Sequence, residues 1–359
     1  MNIALLIRTL LTGGAEKQCV ILAEVLSEQY NVTLVVQYGK QINNEFKQRL
    51  KAARVNIETL DASTLFQRGI KFHKVLKNKN IDVIFSYLTS DNILAGVVGR
   101  LFTKAIVVGG IRNCQMDKKR FWLNKLMHSW FHNYTVFNNN SGYSDFLKKG
   151  YVKKKSLVIS NCIEKIPEKD IARGENAFVY ILSVARYIPQ KDFPSAFRIM
   201  KQLNELGDFK IKYQVVGYGV LENYYRQIIN EQDLSGIVEL VIKPDNVDEY
   251  YANADIYLCT SLFEGTSNSI LEALSFNLPI VATNVGDNAY VVDNEINGYV
   301  IELGDDLGII NALSVLIKDK RKRDEFGENS KKYLTNYLSK RQFEKKYLSF
   351  INDLNSSEK

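Results

Sequence analysis

Two glutamates eight residues apart, Glu264 and Glu272, stand in the stretch of the chain densest in chemistry, SLFEGTSNSILEALSFNLPIVATNVG at 261–286. An apolar run ends near Thr260, a turn containing Gly265 follows, and helical spacing begins near Ser267 or Asn268. The first N–H groups of such a helix have no partner inside it and lie at the positive end of its dipole, which makes an anion site. Glu264, in the turn, can accept hydrogen bonds from two neighbouring hydroxyls of a sugar. Glu272 is expected about two turns into the helix, facing the same crevice, where a carboxylate suits a ribose diol. The plain alternative is a buried strand–turn–helix with solvated glutamates.

A second candidate lies near the start. LLTGGAEK at 10–17 puts Gly13 and Gly14 between a first strand and a first helix. Paired glycines let the backbone approach a ligand closely, and the helix then offers its positive end. A dinucleotide-binding turn is the competing reading, but the third glycine of GxGxxG is missing.

These residues need elements to hold them, and the pattern supplies them. Apolar runs at 2–7, 31–36, 82–87, 105–110, 134–137 and 156–159 alternate with helical spacing at 15–29, 66–79, 91–102 and 118–132. Such a series predicts a doubly wound parallel sheet whose strands are covered on both faces. A charged, aperiodic stretch at 161–177 reads as a linker. A second series follows, with runs at 178–185, 211–217, 237–242, 255–260 and 278–283. The tail from about 305 is helical, with apolar residues at Phe343, Tyr347, Phe350, Ile351 and Leu354.

The Glu-x7-Glu block, followed by Leu278-Pro279-Ile280-Val281-Ala282-Thr283, resembles retaining glycosyltransferase family four. That resemblance implies the GT-B fold: two Rossmann-like domains facing a cleft, with a C-terminal helix crossing back to the first. The boundaries expected are 1–163 for an acceptor-side domain, 164–338 for a nucleotide-sugar-binding domain, and 339–359 for the returning helix. It implies that Glu264 contacts the donor sugar, that Glu272 holds the nucleotide ribose, and that Gly265, Thr266, Ser267 and Asn268 line the phosphate and sugar site. SVARYIPQKDF at 183–193 is similar to the family's strand-end cation pair, with Arg186 and Lys191 in those positions. Departure of a nucleoside diphosphate gathers negative charge on phosphate, and two cations held there stabilise that transition state. VVGYGVLENYY resembles the family's Gly-x-Gly turn at Gly217, and Val247 is the candidate for contact with the base. The loop of Gly13 and Gly14 is implied to sit beside the donor phosphates.

SYLTSDNIL at 86–94 and GGIRNCQ at 109–115 resemble a bacterial branch that extends lipid-linked oligosaccharides. A glutamate commonly precedes the Arg-Asn pair there; here it is Ile111. Asn92, Arg112 and Asn113 are the acceptor-side candidates. His73, His128 and His132 all fall in expected helix interiors, so no histidine is assigned as base. The resemblance implies that the leaving phosphate assists proton transfer. No DxD stands out, so no metal or other cofactor is expected, Arg186 and Lys191 supplying the positive charge. The expected partners are a nucleotide sugar, by default a UDP-sugar, and a polyprenyl-diphosphate-linked saccharide of bacterial surface glycan assembly.

Bulk composition fits. The 359 residues exceed one ordinary core, and 46% hydrophobic residues can fill two. Cys19, Cys114, Cys162 and Cys259 form no CxxC pair, which suits reduced thiols in the cytoplasm. Residues 1–160 hold 24 Lys and Arg against 10 Asp and Glu, or +14, while the rest carry −7. The basic half could face an anionic membrane, a phosphate-bearing acceptor or nucleic acid; no arginine-rich reading helix, zinc spacing or aromatic RNA-binding motif supports the last. DKKRFWLNKLMHSWFH at 117–132 sets Trp122, Leu123, Leu126, Met127, Trp130 and Phe131 on one stripe, to cover the sheet, to lie on the inner face of the plasma membrane, or both. Two other functions share parts of this pattern. A sugar-nucleotide epimerase would change a UDP-sugar with no acceptor present, and a non-catalytic membrane- or polyanion-binding module would have no sugar-nucleotide affinity.

Overall fold

The first sheet is built from runs that are apolar almost end to end. Its strands are β1 (Asn2–Ile7), β2 (Asn31–Val36), β3 (Asn56–Thr59), β4 (Val83–Ser86), β5 (Ile106–Ile111), β6 (Tyr134–Phe137) and β7 (Ser156–Val158), paired in parallel in the order β3-β2-β1-β4-β5-β6-β7. Ile3 to Ile7 are wholly buried, as a central parallel strand covered on both faces must be. Around the sheet lie α1 (Gly14–Ser27), α2 (Asn44–Ala52), α3 (Leu65–Asn78), α4 (Thr89–Phe102), α5 (Lys118–Leu126) and α6 (Asn140–Lys148). The computed structural model describes residues 1–40, 42–112, 116–164, 166–167, 177–207 and 209–356.

β3 and α2 were not anticipated from sequence. β3 is an edge strand of four half-buried or exposed residues, and α2 buries only Phe46 and Leu50. Neither presents enough carbon to announce itself. The expected helix at 118–132 also differs: α5 gives way to one turn of π-helix at Met127–Phe131. That turn adds a residue and splits the apolar stripe. Met127 is buried, whereas Trp122, Leu126 and Trp130 are exposed. The inward positions are polar instead, Asn124 and His128. His132 lies just past the π-turn rather than inside a helix, packed so tightly on Gly109 that a Cβ there would meet its Nδ1 at 2.2 Å.

The second unit, Ile163–Ser339, repeats the plan. β8 (Val179–Val184), β9 (Ile211–Gly217), β10 (Val238–Ile242), β11 (Ile256–Cys259), β12 (Ile280–Thr283) and β13 (Gly298–Ile301) pair in parallel as β10-β9-β8-β11-β12-β13. The helices are α7 (Phe193–Glu205), α8 (Glu222–Glu231), α9 (Asp248–Asn253), α10 (Asn268–Ser275), α11 (Asn288–Val291), α12 (Asp306–Lys318) and α13 (Lys320–Tyr337). β13, another four-residue edge strand, had no counterpart in the sequence reading. The strand order reverses between β8 and β11, and between β1 and β4 in the first sheet. At such a switch point the loops leaving neighbouring strands turn to opposite faces and open a crevice at the carboxyl edge.

The last helix, α14 (Lys340–Ser356), groups with Met1–Cys162 rather than with the second unit that precedes it. Phe343, Tyr347, Phe350, Ile351 and Leu354 are all buried in the first unit's core. Phe85 of β4 meets Tyr347 and Phe350 edge-on, at 5.8 and 6.3 Å between ring centres.

Candidate functional site

The switch point of the second sheet gathers the charged residues. β8 leads into the segment 185–192, which closes with a 3-10 turn at Pro189–Lys191 and a left-handed Asp192 (φ 46°) before α7. β11 leads into 260–267. The two segments are stitched together: Leu262 N–H donates to Gln190 O at 2.8 Å, Gln190 Nε2 to Phe263 O at 2.7 Å, and Thr260 Oγ1 to Lys191 O at 3.0 Å. Across the seam the Lys191 ammonium pairs with Glu264 Oε1, which also accepts from Ser261 Oγ at 2.7 Å. Both side chains are largely buried, 15% and 8% exposed. A desolvated ion pair held by further hydrogen bonds is fixed in position before any ligand arrives.

Backbone approach explains the glycines. A Cβ on Gly217 would stand 1.9 Å from Ala185 O, and one on Gly286 (φ +57°) would stand 2.4 Å from Glu264 O. Gly217 therefore lets the loop after β9 lie against the segment after β8, and Gly286 lets the loop after β12 support the Glu264 turn. Asp287 N–H donates to Gly265 O at 3.0 Å, completing that support.

α10 starts at Asn268 with Ser267 as its N-cap, and the Ser267 side chain makes no capping bond. The turn of Gly265 and Thr266 leads directly into this helix end. Glu272 is the fifth helical residue, one turn in rather than the two expected, and its Oε2 accepts from the Tyr251 hydroxyl at 3.1 Å. Tyr251 lies on α9, the helix that Val247 caps, so the residues assigned to ribose and base are joined through one tyrosine. Burial, first of all, pushes the Tyr251 hydroxyl well above the usual tyrosine range, so it stays a donor. Arg186, directly after β8, is exposed and makes no ion pair among the described residues.

In the first unit the corresponding edge is differently filled. Gly13 is the N-cap of α1, and Glu16 of the first helical turn folds back over it to accept from Thr9 Oγ1 at 2.9 Å. A carboxylate of the chain itself thus occupies the positive helix end beside Gly13 and Gly14. Sequence reading passed over Glu16, although an acidic residue in a first turn is the ordinary signal for it.

Asn92, expected on the acceptor side, is buried with its amide fully used. Its Oδ1 accepts from Ser86 Oγ (2.7 Å) and Gly110 N–H (3.0 Å), and its Nδ2 donates to Gly110 O (2.9 Å) and Asn124 Oδ1 (2.7 Å). It clamps β4, β5 and α5 together, and no donor or acceptor is left for a ligand. Arg112 is half-buried, stacked 4.2 Å over Tyr87 with Nη1 donating to Asn161 Oδ1 at 3.2 Å. Asn113 lies outside the described residues.

Two features here were not foreseen. Asp91, wholly buried at the start of α4, accepts from Gln37 Nε2 (2.6 Å) and Leu88 N–H (2.9 Å). Burial outweighs those bonds and raises its carboxyl to about 7. His128 and His132 are lowered to about 4, chiefly by burial, and so stay neutral. His128 binds Thr135 and the Val152 N–H, and His132 the Asn92 carbonyl, so both are framework.

Comparison with known proteins bears on this arrangement. Residues 165–333, nearly all of the second unit, match the family described as glycosyl transferases group 1. Over 319 residues the chain is 24% identical to the UDP-Gal:alpha-D-GlcNAc-diphosphoundecaprenol alpha-1,3-galactosyltransferase of Escherichia coli, covering 82% of each. It is 24% identical over 353 residues to a Campylobacter jejuni N-acetylgalactosamine-N,N'-diacetylbacillosaminyl-diphospho-undecaprenol 4-alpha-N-acetylgalactosaminyltransferase, covering 92% of this chain and 94% of that one. Among solved structures, Anabaena HepE in complex with UDP-glucose superposes with a TM-score of 0.83 at 16% identity, over 98% of this chain and 100% of that one. The fold is GT-B and the chain is a glycosyltransferase.

For a glycosyltransferase the second unit's edge has usable chemistry. Carboxylates can accept hydroxyls, while Arg186, Lys191 and the α10 amino end are positive groups of the kind that stabilise an anion. Lys191 is a point charge already oriented by Glu264; Arg186 can grip phosphate with two parallel bonds.

Proposed function

We propose that the protein transfers a sugar, with retention, from a UDP-sugar to a saccharide carried on a polyprenyl diphosphate, in bacterial surface-glycan assembly. The observation that carries the donor half is the Lys191–Glu264 pair seated at the switch point of the group 1 unit. Arg186 and Lys191 neutralise the departing diphosphate, so the reaction needs no metal. Glu264 holds the donor sugar and Glu272 the ribose, with Gly265, Thr266, Ser267 and Asn268 lining the phosphates. The retaining course rests on the family resemblance; the leaving phosphate takes part in proton transfer and no side-chain base is invoked.

The acceptor half draws on the relatives, since the E. coli and C. jejuni enzymes are named for diphosphoundecaprenol-linked substrates. The +14 charge of residues 1–160 and the exposed Trp122 and Trp130 support work at an anionic membrane surface, on its cytoplasmic face. No helix among the described residues is long and apolar enough to cross a membrane. The test is thermal unfolding with a panel of nucleotide sugars, because a ligand at one hundred times its Kd stabilises by about 2.7 kcal/mol. One UDP-sugar should raise the unfolding temperature of the wild type, and Glu272→Ala should abolish the rise. A wild-type response in Glu272→Ala removes the ribose assignment, and no response to any nucleotide sugar removes the reading.

A further inference from the structure

α3 and α4 lie side by side on one face of the first sheet, and between them runs a groove of about 630 Å³. Its walls are almost entirely carbon: Phe66 and Ile70 from α3, Ile93, Val97 and Phe102 from α4, and the ring of His73, edge-on to Phe102. Phe66 is 77% exposed and Phe102 62%, a large open apolar area for two phenylalanines.

Gly69 makes the groove. It sits in the middle of α3, where glycine weakens a helix relative to any residue with a side chain. Packing does not demand it, since a Cβ at Gly69 would meet only Val98 Cγ2, at an ordinary 3.7 Å. On α4 the glycines differ: a Cβ at Gly99 would stand 2.8 Å from Ile84 and Val107, and one at Gly96 3.1 Å from Met127. Those two are required by close packing, whereas the missing side chain at Gly69 leaves open space.

What fills such a groove is limited by its chemistry. A saccharide or a nucleotide would find no partners for its polar groups. Lysines rim it, with Lys74 in the lining and exposed Lys77 one turn beyond His73 on α3; exposed Arg100 and Lys104 mark the far end of α4. A second copy would bring the same cations against these, an arrangement that repels. Hydrocarbon joined to a phosphate-bearing head satisfies both wall and rim. α5 and the π-turn after it, both neighbours of α4, also expose Trp122, Leu126 and Trp130.

We propose that the α3–α4 groove seats the head-proximal part of the acceptor's isoprenoid chain. This rests on the lipid-linked acceptor proposed above and adds a binding site to it. The test is titration calorimetry with farnesyl diphosphate, inorganic diphosphate and monomeric dihexanoyl phosphatidylglycerol. The wild type should bind farnesyl diphosphate about tenfold or more tightly than diphosphate, because apolar surface is buried. Gly69→Leu, which fills the groove and favours the helix, should erase that advantage with an unfolding temperature equal to or above the wild type's. Gly69→Ala, adding one methyl, should keep most of it.

The proposal is overturned if the wild type shows no tail preference or if Gly69→Leu retains it. Equal affinity for dihexanoyl phosphatidylglycerol gives the groove to bilayer lipid, and a wild-type dimer broken by Gly69→Leu gives it to a second copy; either outcome also overturns it. A tail preference lost in Gly69→Leu, in an enzyme that transfers only to soluble sugars, keeps the groove and sinks the acceptor reading. Transfer to lipid-linked saccharides at wild-type kcat/KM in Gly69→Leu does the reverse.

Discussion

At the carboxyl ends of β8 and β11 the chain pairs a lysine with a glutamate; at the carboxyl ends of β1 and β4 its buried polar groups are mostly held by amides, hydroxyls and backbone. The second unit's edge holds Arg186, Lys191, Glu264 and Glu272, with the Lys191–Glu264 pair buried between two stitched loops. The first unit's edge holds Asn92 with every amide position engaged, Asp91 raised to about 7, and Glu16 over the start of α1. The first unit carries most of its cations and its exposed tryptophans on its helices and loops. Two sheets of one topology thus present different chemistry: a buried ion pair at one edge, and apolar surface rimmed by cations on the other unit's flank.

Substitutions can break or sharpen that contrast. The largest effect is expected at Lys191→Ala, which should slow transfer by about 10²–10³-fold, the usual consequence of losing one preorganised charge-stabilising donor. Single-turnover rates beside nucleotide-sugar affinity check it; a loss confined to affinity would make Lys191 a ground-state contact. Next comes Asn92→Ala, which strands the buried Ser86 hydroxyl and Gly110 N–H and should destabilise the first unit by about 2 kcal/mol. Donor affinity should stay at the wild-type level. If denaturant unfolding were unchanged while acceptor KM rose, Asn92 would return to the acceptor side. The smallest structural effect belongs to Trp130→Ser, expected to alter stability by less than about 0.5 kcal/mol. Its association with phosphatidylglycerol vesicles should nonetheless fall severalfold in flotation. Wild-type flotation would leave the exposed tryptophan without a membrane role.

The same contrast explains what could be read in the letters. The strand ends that carry Arg186, Lys191 and Glu264, and the helix that carries Glu272, were legible because the strand–turn–helix grammar around them is regular; that Lys191 and Glu264 would pair across two loops was not, since 73 residues separate them. Asn92 was misread because an amide serves equally as a ligand contact and as a clamp; only the positions of Ser86, Gly110 and Asn124 decide between them. The stripe at 117–132 is divided, Met127 buried and Trp122, Leu126 and Trp130 exposed, one of the arrangements the letters left open. Which part is covered was not legible, because Asn124 and His128 take inward positions through Asn92, Thr135 and Val152, and the π-turn shifts the phase after Leu126. Gly69 gives no local signal at all, since whether a glycine is needed depends on what its absent Cβ would touch.

The placement of α14 has a consequence for biosynthesis. Phe85 lies beneath residues that the ribosome adds only after the whole second unit, Ile163–Ser339, has emerged. At about 5–20 residues per second, on the order of ten to thirty seconds pass with that aromatic face uncovered in the nascent chain. Truncation at Ser339 would make this interval permanent, leaving the amino-terminal unit sticky and prone to capture by chaperones while its own strands and helices were all present.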